Sequence, residues 1–422
     1  MPDIPVSSQI FDIAFDQTRQ IVHGALLSGS IQSFSYGDED AHFKYEKKLN
    51  MRLSKKSCRS LDVSEDGERL WVVGKSKSLY TVDTSTGTLT STRKVVHDAA
   101  INRIKRLTPN LLSTGDDDGV VKLWDPRKPD PVNTYTHHFD FISDFLWLED
   151  KKHLVCTSGD GTLSVLDVRS KKDKPFAQSE DQEDELLSIV AIKGGSKLLI
   201  GTQSGALTLF SPRHGYADCV TRIPGHPHSI DTLSSIPSRY PNSSCTVLTG
   251  SSDGLVRVVE VFPQSKLIGV LTDSEGWPVE RVRVDLGGEG RWAGCVGHEE
   301  VLRLVDLKEV FEDGDGDNDS EEDDNDDNGE EGEDEGEEGV EKGANKKKAS
   351  NEGPVEDWDP ENDDSTDVPP PNLDAEAGDS DSDVPTKERK RKKKQEKDIF
   401  RTSKKGRGRN ELEVGDGFFA DL

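Results

Sequence analysis

The chain has 422 residues and a formal net charge of −28, with 82 Asp and Glu against 54 Lys and Arg. Residues 311–422 hold 39 acidic, 17 basic and only 19 apolar residues, too few to offset chain entropy, so a disordered tail is predicted behind a folded body of about 310 residues. No run approaches the roughly 18–20 apolar residues of a membrane span, and MPDIPVSSQI lacks the basic-then-apolar pattern of a secretory leader. Cys58, Cys156, Cys219, Cys245 and Cys295 are scattered and form no CxxC pair, which fits a reducing compartment, argues against a zinc site and leads to the expectation of a soluble intracellular protein.

A body of this size needs a repeat or a barrel to organise its core. In chain order, Ile4–Ser8 comes first, with no hairpin partner of its own. Seven units follow, each an apolar-alternating stretch and then a hairpin. The leading stretches are IFDIAF, CRSLDV, INRIKRL, FISDFLWL, LLSIVAI, SIDTLSSI and VERVRVDL. The sharpest hairpin is LLSTGDDDGVVKLWD (Leu111–Asp125), in which Asp118-Gly119 sits between two alternating strands, where glycine accepts the positive φ of a tight turn. Weaker copies are LVCTSGDGTLSVLD, LLIGTQSGALTLFS and VLTGSSDGLVRVVE, and degenerate ones are VHGALLSGSIQSFS, LWVVGKSKSLYTVD and WAGCVGHEEVLRLVD.

Aligning the turns places Gly29, Ser78, Gly119, Gly161, Gly205, Gly254 and Glu300 in register, at steps of 49, 41, 42, 44, 49 and 46 residues. That period matches one four-stranded propeller blade per unit, so an all-β, seven-bladed β-propeller is predicted over residues 1–310. An open sandwich is the competing architecture. The last hairpin ends near Asp306 with no fourth strand left to give, so Ile4–Ser8 is expected to complete the seventh blade and close the ring.

GDDDGVVKLWD (Gly115–Asp125) resembles the signature of WD-repeat proteins, and only this third unit keeps the Trp-Asp ending. The resemblance implies a structural network of His97, Thr114, Asp118 and Trp124; the Trp position elsewhere is Phe34, Leu166, Phe210, Val259 or Val305, and Gly-His recurs cleanly only at Gly225-His226. Seven degenerate repeats, an acidic tract, a Lys/Arg block and the ending GDGFFADL together resemble the WD repeat-containing protein 55 family. That resemblance implies a nucleolar scaffold in ribosome biogenesis, acting in rRNA processing or large-subunit assembly, with pre-ribosomal proteins as partners.

Beyond the body lie an acidic tract (311–385, net −28), a basic segment (386–409, net +10) and a terminal peptide (410–422). The acidic tract reads as a hydrated spacer or as a polyanion competing with nucleic acid for basic proteins. Asp313, Asp315 and Asp317 alternate as in a calcium loop, but Asn318 replaces the required glycine. Ser320, Ser380 and Ser382 sit among acids as acidophilic-kinase sites are expected to. Lys387, Arg389, Lys390, Arg391, Lys392, Lys393 and Lys394 form a nuclear-localisation run for an importin, and Lys404–Asn410 is a candidate for non-specific RNA contact. Phe418 and Phe419 are either a short docking peptide or a loose end.

No phosphate loop, nucleophile elbow or metal-spaced cluster is visible, so neither an enzyme nor a cofactor is expected. A propeller without chemistry is a platform whose loops hold partners. Candidate face anchors are Lys55, Lys56 and Arg59 before blade two, Arg103, Lys105 and Arg106 before blade three, and Trp277 before blade seven, the last with a buried role as the alternative. A second binding reading is local. Trp124-Asp125-Pro126-Arg127 resembles the WDxR box of receptors that dock on the damaged-DNA-binding adaptor of cullin–RING ubiquitin ligases, and Leu166-Asp167-Val168-Arg169 is a near copy, which would make Arg127 and Arg169 the contact residues.

Overall fold

The computed structural model describes residues 2–39, 42–285 and 290–312. The acidic tract beyond residue 312, the basic segment, the terminal peptide, the three candidate phosphoserines and the localisation lysines lie outside the described residues. The described chain folds into seven four-stranded antiparallel sheets, the blades of a β-propeller. Blade three is representative: Ile101–Thr108 is innermost, then Leu111–Asp116, Val121–Trp124 and outermost Pro131–Tyr135. The buried apolar side chains of each blade fill the gap to the next blade. One buried apolar cluster occupies each of the seven boundaries.

Blade seven takes its fourth strand from the start of the chain. Asp3–Pro5 pairs antiparallel with Val301–Asp306, with Ile4 opposite Leu302. Ile4 is fully buried among Ile10, Trp292 and Leu302, so the closing strand is fastened by packing as well as by its backbone ladder.

Five of the aligned turn glycines adopt the left-handed backbone expected of them, at φ between +77° and +89°. Gly119 is required twice over, because a Cβ there would lie 2.7 Å from the His138 carbonyl oxygen. Blade two departs: the left-handed residue is Lys77 (φ +61°), one position ahead of the aligned Ser78.

Every innermost strand carries a bulge just after its first residue, between Ile10 and Asp12, Cys58 and Ser60, Ile101 and Arg103, and so on around the ring. Side chains and amides beside these bulges form a belt of polar bonds around the ring. Asp12 accepts from Ser60 Oγ (2.6 Å), Ile104 N donates to Ser60 Oγ (3.3 Å), and Arg103 Nε donates to the Ser143 carbonyl (2.6 Å). Ser143 Oγ then donates to Leu186 O, Ser188 Oγ to Ile230 O (2.9 Å), and Val282 N to Thr232 Oγ1 (3.1 Å). Arg281 returns the belt to blade one through an ion pair with Asp12 at 3.3 Å.

Candidate functional site

The four-residue network of blade three is built from the strands just described. Trp124 Nε1 donates to Thr114 Oγ1 (2.8 Å), Thr114 Oγ1 meets His97 Nε2 (2.7 Å), and His97 Nδ1 meets Asp116 Oδ2 (2.7 Å). The Trp indole can only donate, so a directed chain results: Trp to Thr, Thr to His, His Nδ1–H to carboxylate. The acid is Asp116, not Asp118. Asp118 is exposed, whereas Asp116 is buried and its second oxygen accepts the backbone N–H groups of Asp118 and Val120 (3.1 and 2.8 Å). The carboxylate that opens the turn is the one within reach of both the histidine and the turn amides.

A second network carries no clear signature in the sequence. His138 meets Asp160 Oδ2 through Nδ1 (3.0 Å) and Ser164 Oγ through Nε2 (2.7 Å), although Leu166 stands in the Trp position of that blade. In blade six His226 reaches only Thr249 (2.8 Å), and Asp253 pairs with Arg257 instead. All of these groups are committed to holding turns and strands. Burial also pushes the Cys58 and Cys295 thiols up to about 12, far from nucleophilic range.

The central channel, lined by the innermost strands, holds a buried charge cluster. Arg281 is fully buried between Asp12 (3.3 Å) and Asp144 (3.4 Å); burial opposes its charge, but the two carboxylates outweigh it and hold its pKa above the ordinary arginine value. Arg103 faces the same channel, and burial together with the Arg281 charge brings it down to about 10. Its expected role as a face anchor is therefore corrected, since its guanidinium is committed to the belt. Toward the rim that bears the connections between first and second strands, the channel widens to a cavity of about 730 Å³ lined by Lys105, Arg106, Arg283, Asp62, Glu65 and Trp147, among others. No nucleophile–base pair converges there, and among the described residues no group of three or more His, Cys, Asp or Glu is placed to hold a metal.

On the opposite rim lie Lys55 and Trp277, in loops that lead from one blade to the next. Trp277 is 54% exposed, which removes its buried alternative, and Lys55 and Lys56 are exposed. Arg59 is tied down, its Nη1 donating to Asn102 (2.5 Å) and Asp117 (2.8 Å). The two WDxR arginines adopt one geometry on neighbouring blades. Arg127 grips Asp125 through Nε (2.9 Å) and Nη2 (2.8 Å), and Arg169 grips Asp167 through Nε (2.8 Å) and Nη2 (2.9 Å). Their side chains remain 67% and 63% exposed, so each guanidinium is aimed but accessible.

The family model for WDR55 matches residues 1–310, the span of the propeller. The chain belongs to the WDR55 family. Among its relatives, a WD repeat-containing protein JIP5 of Coprinopsis cinerea is 56% identical over 324 residues, covering 76% of this chain and 78% of that one. The WD repeat-containing protein 55 of Arabidopsis thaliana is 32% identical, covering 74% of this chain and 84% of its own, and that of Rattus norvegicus is 30% identical, covering 73% and 77%. The WDR55 body and the ring of seven blades coincide, and a WD-repeat propeller of this kind is a scaffold for protein–protein interaction. No helix among the described residues is long and apolar enough to cross a membrane.

Proposed function

We propose that this WDR55 chain is a non-enzymatic nucleolar scaffold of ribosome production, serving rRNA processing or large-subunit assembly. The observation that carries the reading is the pairing of WDR55 membership with a propeller whose buried His97, His138 and Arg281 are engaged in turns and in the belt. Partners are pre-ribosomal proteins gathered on the loop rims, with importin reading Lys387–Lys394 and delivering the chain to the nucleus. Purification of the full chain from growing cells at low and high salt, with identification of both protein and RNA, is expected to return pre-ribosomal proteins and precursor rRNA. Their absence at low salt overturns the proposal. Replacing Lys390–Lys394 by Ala is expected to leave the protein cytoplasmic; continued nuclear accumulation overturns the targeting role.

A second reading is favoured by the matched arginines: docking on the damaged-DNA-binding adaptor of a cullin–RING ligase through Arg127 and Arg169. Arg127→Ala with Arg169→Ala is expected to remove the adaptor from the purified material and leave pre-ribosomal components in place. Adaptor retention in the double variant ends that reading.

A further inference from the structure

Three loops of blades three and four come together on one rim: 125–130 (DPRKPD), 149–152 (EDKK) and 168–176 (VRSKKDKPF). They are joined physically. Asn133 of blade three donates to the Lys172 carbonyl of blade four (2.9 Å), and Val168 N donates to the Lys152 carbonyl (3.3 Å). Within this surface Arg127, Arg169 and Lys152 are neutralised by Asp125, Asp167 and Glu149. Lys128, Lys151, Lys171, Lys172 and Lys174 are exposed, and none has an ion-pair partner among the described residues. Asp130, Asp150 and Asp173 are exposed on the same loops and likewise unpaired among the described residues, so the unpaired side chains of this surface carry five positive and three negative charges, a net of +2.

An aromatic platform stands among these lysines. The Phe176 ring is 64% exposed and lies 4.9 Å from the His153 ring at an interplanar angle of 37°. The histidine lies beside the phenyl ring, and most of the Phe176 surface remains accessible. Burial lowers the His153 pKa and so favours the uncharged ring.

We propose that this surface binds single-stranded RNA, with the five lysines meeting phosphates and Phe176 stacking on a base. The combination decides the partner class. An acidic segment uses the lysines but needs an aromatic side chain at one fixed position to lay on the exposed phenyl ring, whereas every base along a single strand carries a flat π-face. Lysines on flexible stems track a backbone without reading sequence, so the binding is salt-dependent and sequence-tolerant. The site is distinct from the basic segment at 386–409 and does not depend on the ribosomal reading, which proteins alone are able to satisfy.

The test is fluorescence anisotropy of a labelled oligouridylate titrated with the full chain across a series of salt concentrations. Binding at low salt is expected, and its absence overturns the proposal. Lys171→Glu/Lys172→Glu/Lys174→Glu is expected to weaken binding at least tenfold and to flatten the plot of log affinity against log salt by about 2, at roughly 0.7 for each phosphate that is no longer neutralised. Phe176→Ala is expected to weaken binding about 5- to 100-fold with the salt slope unchanged, as removal of a stacking ring does. All substitutions lie on exposed loops, and equal melting temperatures confirm that the fold is intact. Unchanged affinity in the triple variant overturns the site, as does loss of all binding on replacing Lys390–Lys394 alone. If polyglutamate binds as tightly as the oligouridylate and Phe176→Ala affects neither, the surface is an acidic-protein site and the RNA assignment falls.

Discussion

Blades three and five have the same architecture and are held together differently. Both place four antiparallel strands around a glycine turn, at φ +78° for Gly119 and +82° for Gly205, and both join the polar belt through their innermost strand. Blade three adds the chain from Trp124 through Thr114 and His97 to Asp116. Blade five has no histidine in that role and Phe210 in place of the Trp, fully buried with Leu186, Leu198 and Ile200. Its turn is held from outside, by Asp184 accepting from Ser204 N (3.2 Å) and Ser204 Oγ (2.5 Å). Strand alternation and turn geometry thus suffice to make a blade, and the polar chain is one of two ways to fill the same space.

The largest expected effect is in the blade that lacks the polar chain. Phe210→Ala should cost about 3–5 kcal/mol in urea unfolding, because a fully buried aromatic leaves a cavity that neighbouring strands cannot close. A loss below about 1 kcal/mol would show that blade five does not rest on packing. Blade one offers an intermediate case, with His23 buried against Ser33 (2.7 Å) and Phe34 in the Trp position. Burial lowers His23 to about 4, so the folded state keeps it neutral while the unfolded chain takes up a proton near 6.5. Its stability contribution is present above pH 6.5 and lost as pH falls toward 4, by about 3 kcal/mol in all. His23→Gln should remove that slope; equal pH dependence of the two urea midpoints would contradict the burial argument.

In blade three, Thr114→Val keeps the volume and breaks the chain at its centre, leaving the Trp124 N–H and His97 Nε2 buried without partners. About 1–3 kcal/mol should be lost. The smallest effect separates two nearby acids: Asp116→Ala should cost about 1–3 kcal/mol, whereas Asp118→Ala should stay within about 0.5 kcal/mol. Equal losses at the two positions would return the network to Asp118.

Much of the ring was legible because its determinants are local. Alternation, glycine at the turns and a near-constant period specified seven blades, and the missing fourth strand of the last blade pointed to Ile4–Ser8; the closing strand is Asp3–Pro5, so it starts one residue earlier and keeps only Ile4 and Pro5 of that segment. The choice between Asp116 and Asp118 was not legible: three consecutive aspartates satisfy the motif, and only the position of the turn amides selects one. His138 escaped notice because Leu166 hides the blade's relation to the Trp-bearing unit. Residue type alone points Arg103 to a face, whereas in the fold its guanidinium bonds the Ser143 carbonyl beside the bulge that follows Ile101. Arg281 was missed because its two carboxylates come from blades one and four, which no short-range pattern connects. The cluster around Phe176 spans separate loops, and no local pattern connects its lysines before the fold brings them together.

The closing strand also imposes a timetable on biosynthesis. Asp3–Pro5 is made before the blades, and its partner Val301–Asp306 is polymerised some 300 residues later. At roughly 5–20 residues per second, the nascent amino end waits about 15–60 s with Ile4 unsheltered. During that interval six blades are already translated while the seventh is missing its edge, and the sides of blades one and six that will face it stay open. A chaperone that shields Ile4 or these neighbouring apolar walls while translation proceeds would therefore have a defined window in which to act, ending when Asp306 clears the exit tunnel.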